Sequence, residues 1–168
     1  MKTKAKTAAL CGLLVCTALI LSLVEGFIPA AAIPIPGIKL GLANIVILFA
    51  LYKLGFRCAV MILLARSILA SLFGGGITSL LFSLSGGVLS LLTMYLLKKI
   101  PPTRVSIYGV SIAGAAMHGV GQIIASVFML KTVTVVFYLP VLLISGIITG
   151  TLIGAVTGML FKKTPPKV

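Results

Sequence analysis

The sequence contains no aspartate and a single glutamate, Glu25, in 168 residues. That scarcity excludes whole classes of chemistry. Two-carboxylate glycoside hydrolysis lacks its second acid. Magnesium-dependent phosphoryl transfer normally anchors its ion through one or two carboxylates as well as the substrate's phosphates. The phosphate-binding loop G-x-x-x-x-G-K-[ST] is missing too, so the chain does not hydrolyse a nucleotide by itself. Any energy source is a gradient or a separate subunit. Cys11, Cys16 and Cys58 lie in or beside apolar segments without ligand spacing, and are expected as small core residues rather than a disulfide or metal framework. With His118 the lone histidine, no haem or iron–sulfur ligand set exists. No catalytic residue and no cofactor is expected.

Charge of either sign is also scarce. Charged residues make up 9% of the chain, hydrophobic residues 60%, and the mean hydropathy is +1.30. A soluble domain carries roughly 25% charged residues. This chain lacks the polar surface to face water all round, and is read as an integral membrane protein. The net charge of +13 does not suggest a nucleic-acid binder, because the cations punctuate hydrophobic runs rather than gathering on one face.

A spanning helix needs about 20 mostly apolar residues. Six such runs are present, at 6–24, 38–54, 57–73, 77–97, 105–130 and 135–161. The breaks between them carry turn residues: a proline-rich stretch at 29–37, then "KLGFR", "GGG", "KKIPPTR" and "KTVT". The positive-inside rule supports this count. With the N-terminus in the cytoplasm, Lys2, Lys4, Lys6, Lys53, Arg57, Lys98, Lys99, Arg104, Lys162, Lys163 and Lys167 all fall inside. These are eleven of the fourteen cations. Only Lys39 and Lys131 fall outside, and Arg66 lies within the third span. The fold class expected is therefore all-α: one polytopic bundle of six transmembrane helices over residues 1–168, both termini cytoplasmic. The first 26 residues also have the basic start and apolar run of a signal peptide. The run is long for that role, and "LLVC" lacks the small residue a lipoprotein cleavage site wants before Cys16, so a retained first span is expected.

Ionisable and amide groups inside such spans are expensive and mark a cavity or a partner. Arg66 is expected about 10 Å deep from the outer end of its helix, at 1.5 Å per residue. Asn44 enters from the same side. His118 and Gln122, spaced i, i+4, share a face, with His118 one turn deeper and Ser126 one turn further out. Glu25 and Lys39 bracket the proline-stiffened loop around Pro34 and Pro36 at the outer rim. Glu25, Lys39, Asn44, Arg66, His118 and Gln122 are thus the candidate ligand-binding residues. One acid does not neutralise the cations around it, so an anionic ligand is favoured over a cationic one. On the last span, Gly146, Gly150, Gly154 and Gly158 form a four-residue ladder that permits close helix packing, within the chain or against another subunit.

The run "PGIKLGLANIVILFALYKLGFRCAVMILLARSILASLFGGG" resembles the bacterial Gx transporter family, also labelled heptaprenyl diphosphate synthase component I. The six-span plan resembles substrate-binding S components of energy-coupling-factor vitamin transporters. The resemblance covers nearly the whole chain and is most specific at Pro36–Asn44, Arg66 and Gly74–Gly76. The S-component likeness implies a bundle in the bacterial cytoplasmic membrane that binds a small metabolite. It would dock on an energy-coupling membrane subunit and its ATPases through small residues such as Ala5, Ala8, Ala9 and Gly12. The other label implies a non-catalytic membrane partner of a prenyl synthase subunit in quinone-tail synthesis. Soluble prenyl diphosphate synthases hold magnesium with aspartate-rich motifs, and this chain has no aspartate.

Overall fold

A computed structural model describes residues 2–26 and 39–164. The expected proline turn at 34–36 lies outside the described residues. Those described are almost entirely helical and form no strand. The helices are α1 (Lys2–Gly26), α2 (Asn44–Lys53), α3 (Phe56–Ala70), α4 (Gly76–Lys98), α5 (Ile107–Leu130) and α6 (Leu139–Lys163). A π-helical turn, Ser71–Gly75, prolongs α3, and a 3-10 turn, Val133–Tyr138, leads into α6. Pro140 in the first turn of α6 is tolerated there because the amide it lacks would have no helical partner.

Among the described residues, five helical stretches are long and apolar enough to cross a membrane. Helices α1, α4, α5 and α6 have 23 to 25 residues, or about 35 Å at 1.5 Å per residue. That exceeds a hydrocarbon core of about 30 Å. The second expected span is the one that differs. Instead of a helix from 38 to 54, α2 has ten residues and a length of about 15 Å. Gly41 explains the late start. Its φ of +86° is incompatible with a right-handed helix, and its carbonyl instead accepts the Asn44 amide at 2.9 Å to close a turn.

Burial is inverted relative to a soluble protein. Ser22, Glu25, Asn44, Arg66, Ser83, Ser90, His118, Gln122 and Thr157 are buried, whereas Leu13, Ile20, Met61, Leu72, Phe128, Ile148 and Met159 are exposed. Such a surface is soluble only in lipid, and the chain is a multi-pass membrane protein. Small residues set the spacing of the helices. Gly121 of α5 lies on the α4 backbone at Ser85 and Gly86, and the Ser85 hydroxyl donates to the Gly121 carbonyl. Along α6, Gly146, Gly150 and Gly154 meet the α5 backbone at Ala115, Ile112 and Tyr108. The upper part of the glycine ladder is therefore an internal seam, while Gly158 has only the Tyr108 hydroxyl near it, at 4.0 Å.

At one end of the bundle the start of α1 and the ends of α2, α4 and α6 come together. Phe161 lies 5.6 Å from the rings of Phe49 and Tyr52, and the Lys98 ammonium donates to the Leu51 carbonyl at 2.8 Å. This is the terminal end. The cysteines are not the core residues expected: Cys16 is exposed, while Cys11 and Cys58 are half-buried and line the same groove between α1 and α3. Only α1 and α3 packed in this register bring those thiols together. A short bismaleimide applied to a Cys16→Ser protein should therefore join Cys11 to Cys58 within one chain, as read by tryptic mass spectrometry. Two separately capped thiols instead would show that the α1–α3 register is wrong.

Candidate functional site

The polar residues converge at the opposite end, where α1 stops. Glu25, in the last turn of α1, accepts a hydrogen bond from the Gly41 amide. Gly41 fits there for two reasons: its positive φ, and the absence of room for a side chain. A Cβ would stand 3.1 Å from both Asn44 Nδ2 and His118 Cδ2. One backbone position thus ties the end of α1 to the start of α2 and to the middle of α5.

Arg66 projects from α3 and is 2% exposed, so none of its charge is spent on bulk water. Its Nη1 donates to Ser22 Oγ of α1 at 2.9 Å, and its guanidinium interacts electrostatically with Glu25. Gly87 of α4 leaves space beside it, with a Cβ there 3.4 Å from Nη2. The preceding residue, Gly86, does the same for His118, whose ring Nδ1 would lie 2.8 Å from a Cβ. These consecutive glycines put the tips of Arg66 and His118 at one level of α4, rather than His118 a turn deeper. On α5 the His118 Nε2 and Gln122 Nε2 atoms are 3.2 Å apart. Ser126 turns back on its own helix and donates to the Gln122 carbonyl at 2.8 Å. Lys39 is half-buried, and its charge acts on both Glu25 and His118.

All six residues singled out in the sequence are therefore brought together. The fold adds four that sequence reasoning missed: Ser22, Gly41, Gly86 and Gly87. Ser22 had a signal, since it precedes Glu25 by three residues and so shares its helical face. The Gly86–Gly87 pair, in the middle of an otherwise apolar helix, was the other legible clue.

Hydrogen-bonding capacity remains unused within the cluster. Asn44 Oδ1 and Nδ2, Arg66 Nε and Nη2, and Gln122 Oε1 are buried without a protein partner among the described residues. Buried polar groups are normally paired, because desolvating one without a partner costs about 1–3 kcal/mol. The pattern on Arg66 is informative. Ser22 takes Nη1, which leaves the Nε–Nη2 edge, the side of the guanidinium that grips a carboxylate or phosphoryl group with two parallel bonds. No three His, Cys, Asp or Glu side chains gather as metal ligands among the described residues, so what this cluster offers is charge and hydrogen bonds.

Comparison with known proteins yields one match. A family model described as heptaprenyl diphosphate synthase component I covers residues 14–160. No curated protein and no solved structure matches the chain.

Proposed function

We propose, from the premise that the chain belongs to the heptaprenyl diphosphate synthase component I family, that it is a non-catalytic membrane component of polyprenyl diphosphate synthesis whose bundle holds a small anionic metabolite. The family name supports a prenyl synthase subunit as partner. The single observation that carries the binding role is the buried, unpartnered Nε–Nη2 edge of Arg66, facing a cluster in which Asn44 and Gln122 also keep free polar atoms. Arg66 grips the anionic group; Asn44 and Gln122 orient the remainder; His118 supplies one further hydrogen bond. Glu25, Lys39 and Gly41 close the rim. Prenyl transfer itself is assigned to the partner, because this chain has no aspartate to hold magnesium.

The distribution of lysine and arginine supports placing the terminal end in the cytoplasm and the Arg66 cluster toward the outside of a bacterial cytoplasmic membrane. In this arrangement α2, with residues 39–43, would make the sixth crossing. The outward position of the cluster also favours a second reading, an S-component-like transporter that captures its metabolite from outside. Ala8 and Gly12 line an apolar groove between α1 and α3, a surface that an energy-coupling subunit would use.

Native mass spectrometry of the protein, gently purified from its own membrane, tests both readings. A stoichiometric anionic metabolite together with a retained prenyl synthase subunit is the expected result. The same metabolite with a membrane subunit and ATPases would replace this reading by transport. An empty bundle with no retained subunit would remove the support for either.

A further inference from the structure

A cavity lies at the terminal end, away from the Arg66 cluster. It has a volume of about 410 Å³, within the range of small-molecule sites. Its walls come from four helix ends and the 99–106 connection. Tyr52 and Phe161 form an aromatic side, and Val105 and Ile107 an aliphatic one. Two cations complete it. Lys98 donates one hydrogen bond to the Leu51 carbonyl and sits 4.9 Å from the centre of the Tyr52 ring, which leaves two of its three N–H donors. Lys162 is exposed at the rim. The chain's one acidic side chain, Glu25, is at the other end of the bundle, so no acidic side chain among the described residues balances that pair. Ile107 begins α5, whose N-terminal end adds partial positive charge to the same wall.

An apolar hollow with a cationic mouth selects an occupant that is greasy along its length and anionic at its head. We infer that this cavity binds a phosphate-headed amphiphile, its apolar chain against Tyr52, Phe161 and Ile107 and its phosphate or diphosphate between Lys98 and Lys162. Either a prenyl diphosphate or an anionic membrane phospholipid has that chemistry. The inference stands apart from the Arg66 site, and the two fail independently.

Gly158 offers a clean way to fill the cavity. It lines the wall, and a Cβ there meets only the Tyr108 hydroxyl at 4.0 Å, so a larger side chain enters the hollow without striking backbone. Calorimetric titration of the whole protein in detergent, with geranyl diphosphate as probe and inorganic pyrophosphate for comparison, reads the site. Geranyl diphosphate should bind tighter than pyrophosphate by about tenfold or more, because only it buries a chain. Gly158→Leu and Lys162→Glu should each weaken it by about tenfold, the loss of an apolar wall or of one charge-assisted contact. Neither variant should lower the thermal unfolding temperature.

Repeating the titration in nanodiscs with and without phosphatidylglycerol identifies the source. Displacement of the probe by phosphatidylglycerol supports the site with a membrane lipid as occupant; undiminished binding supports it with a free prenyl diphosphate. Equal affinity for pyrophosphate and geranyl diphosphate would overturn the inference. So would binding that ignores both Gly158→Leu and Lys162→Glu.

Discussion

Arg66→Met should abolish retention of the anionic metabolite, with a fall in affinity on the order of 100-fold or more. Each hydrogen bond from a charged group contributes about 1.5–3 kcal/mol. Losing the two that the Nε–Nη2 edge offers therefore exceeds the roughly 2.7 kcal/mol that corresponds to 100-fold. Arg66→Lys should recover only part of the loss, since an ammonium keeps the charge but not the fork. The difficulty is that Arg66→Met also leaves Glu25 buried beside Lys39 alone. A buried carboxylate left with less compensating charge destabilises the fold, so lost binding in that variant has two explanations. The double variant Arg66→Met/Glu25→Gln separates them. Glutamine keeps an oxygen to accept the Gly41 amide while discarding the charge, so stability should return and binding should not. Glu25→Gln alone should bind the anion more tightly, because the negative charge that competes for Arg66 is gone. Thermal unfolding of the ligand-free protein and native mass spectrometry of ligand occupancy read the two quantities. A double variant that still carries the metabolite would remove Arg66 from the site.

The site and the fold were legible to different degrees in the sequence. Arg66, Asn44, His118 and Gln122 stood out because a polar side chain in an apolar run has few cheap explanations in lipid. Ser22, Gly86 and Gly87 did not, because serine and glycine also serve ordinary helix packing, and only the fold places them against Arg66 and His118. Long apolar runs located α1, α4, α5 and α6. Hydropathy counts side chains, however, and is blind to backbone dihedrals, so the apolar run at 38–54 concealed the turn at Gly41 that shortens α2. The cysteines show a related limit. Their spacing along the chain said nothing about Cys11 and Cys58 lining one groove between two helices. Position in sequence fixes neighbours on one helix, whereas contacts between helices depend on crossing geometry.

Glycines test that geometry most severely. In sequence, Gly121 on α5 and Gly150 and Gly158 on α6 are all glycines in apolar helices, yet the fold gives them opposite expectations. At Gly121 a Cβ would lie 2.6 Å from the Ser85 carbonyl oxygen and 2.7 Å from Gly86 Cα. At Gly150 it would lie 2.6 Å from Ile112 Cα. These are backbone atoms of a facing helix, so no rotamer change relieves the clash and the helices must part. Overpacking of this kind costs about 1–3 kcal/mol. At Gly158 the nearest atom is 4.0 Å away, so alanine simply removes the entropic penalty of a mid-helix glycine, a gain of about 0.5–1 kcal/mol. In detergent unfolding, Gly121→Ala and Gly150→Ala should therefore lose stability while Gly158→Ala holds or gains. Gly121→Ala should also loosen the ligand, because the α4 segment it pushes away carries Gly86, and Gly86 packs against His118. Gly150→Ala acts on the far face of α5, where α6 packs, and should leave the Arg66 site closer to intact. Equal losses at all three positions would mean that Gly158 is packed as tightly as Gly150, and the lower end of the seam would have to be redrawn.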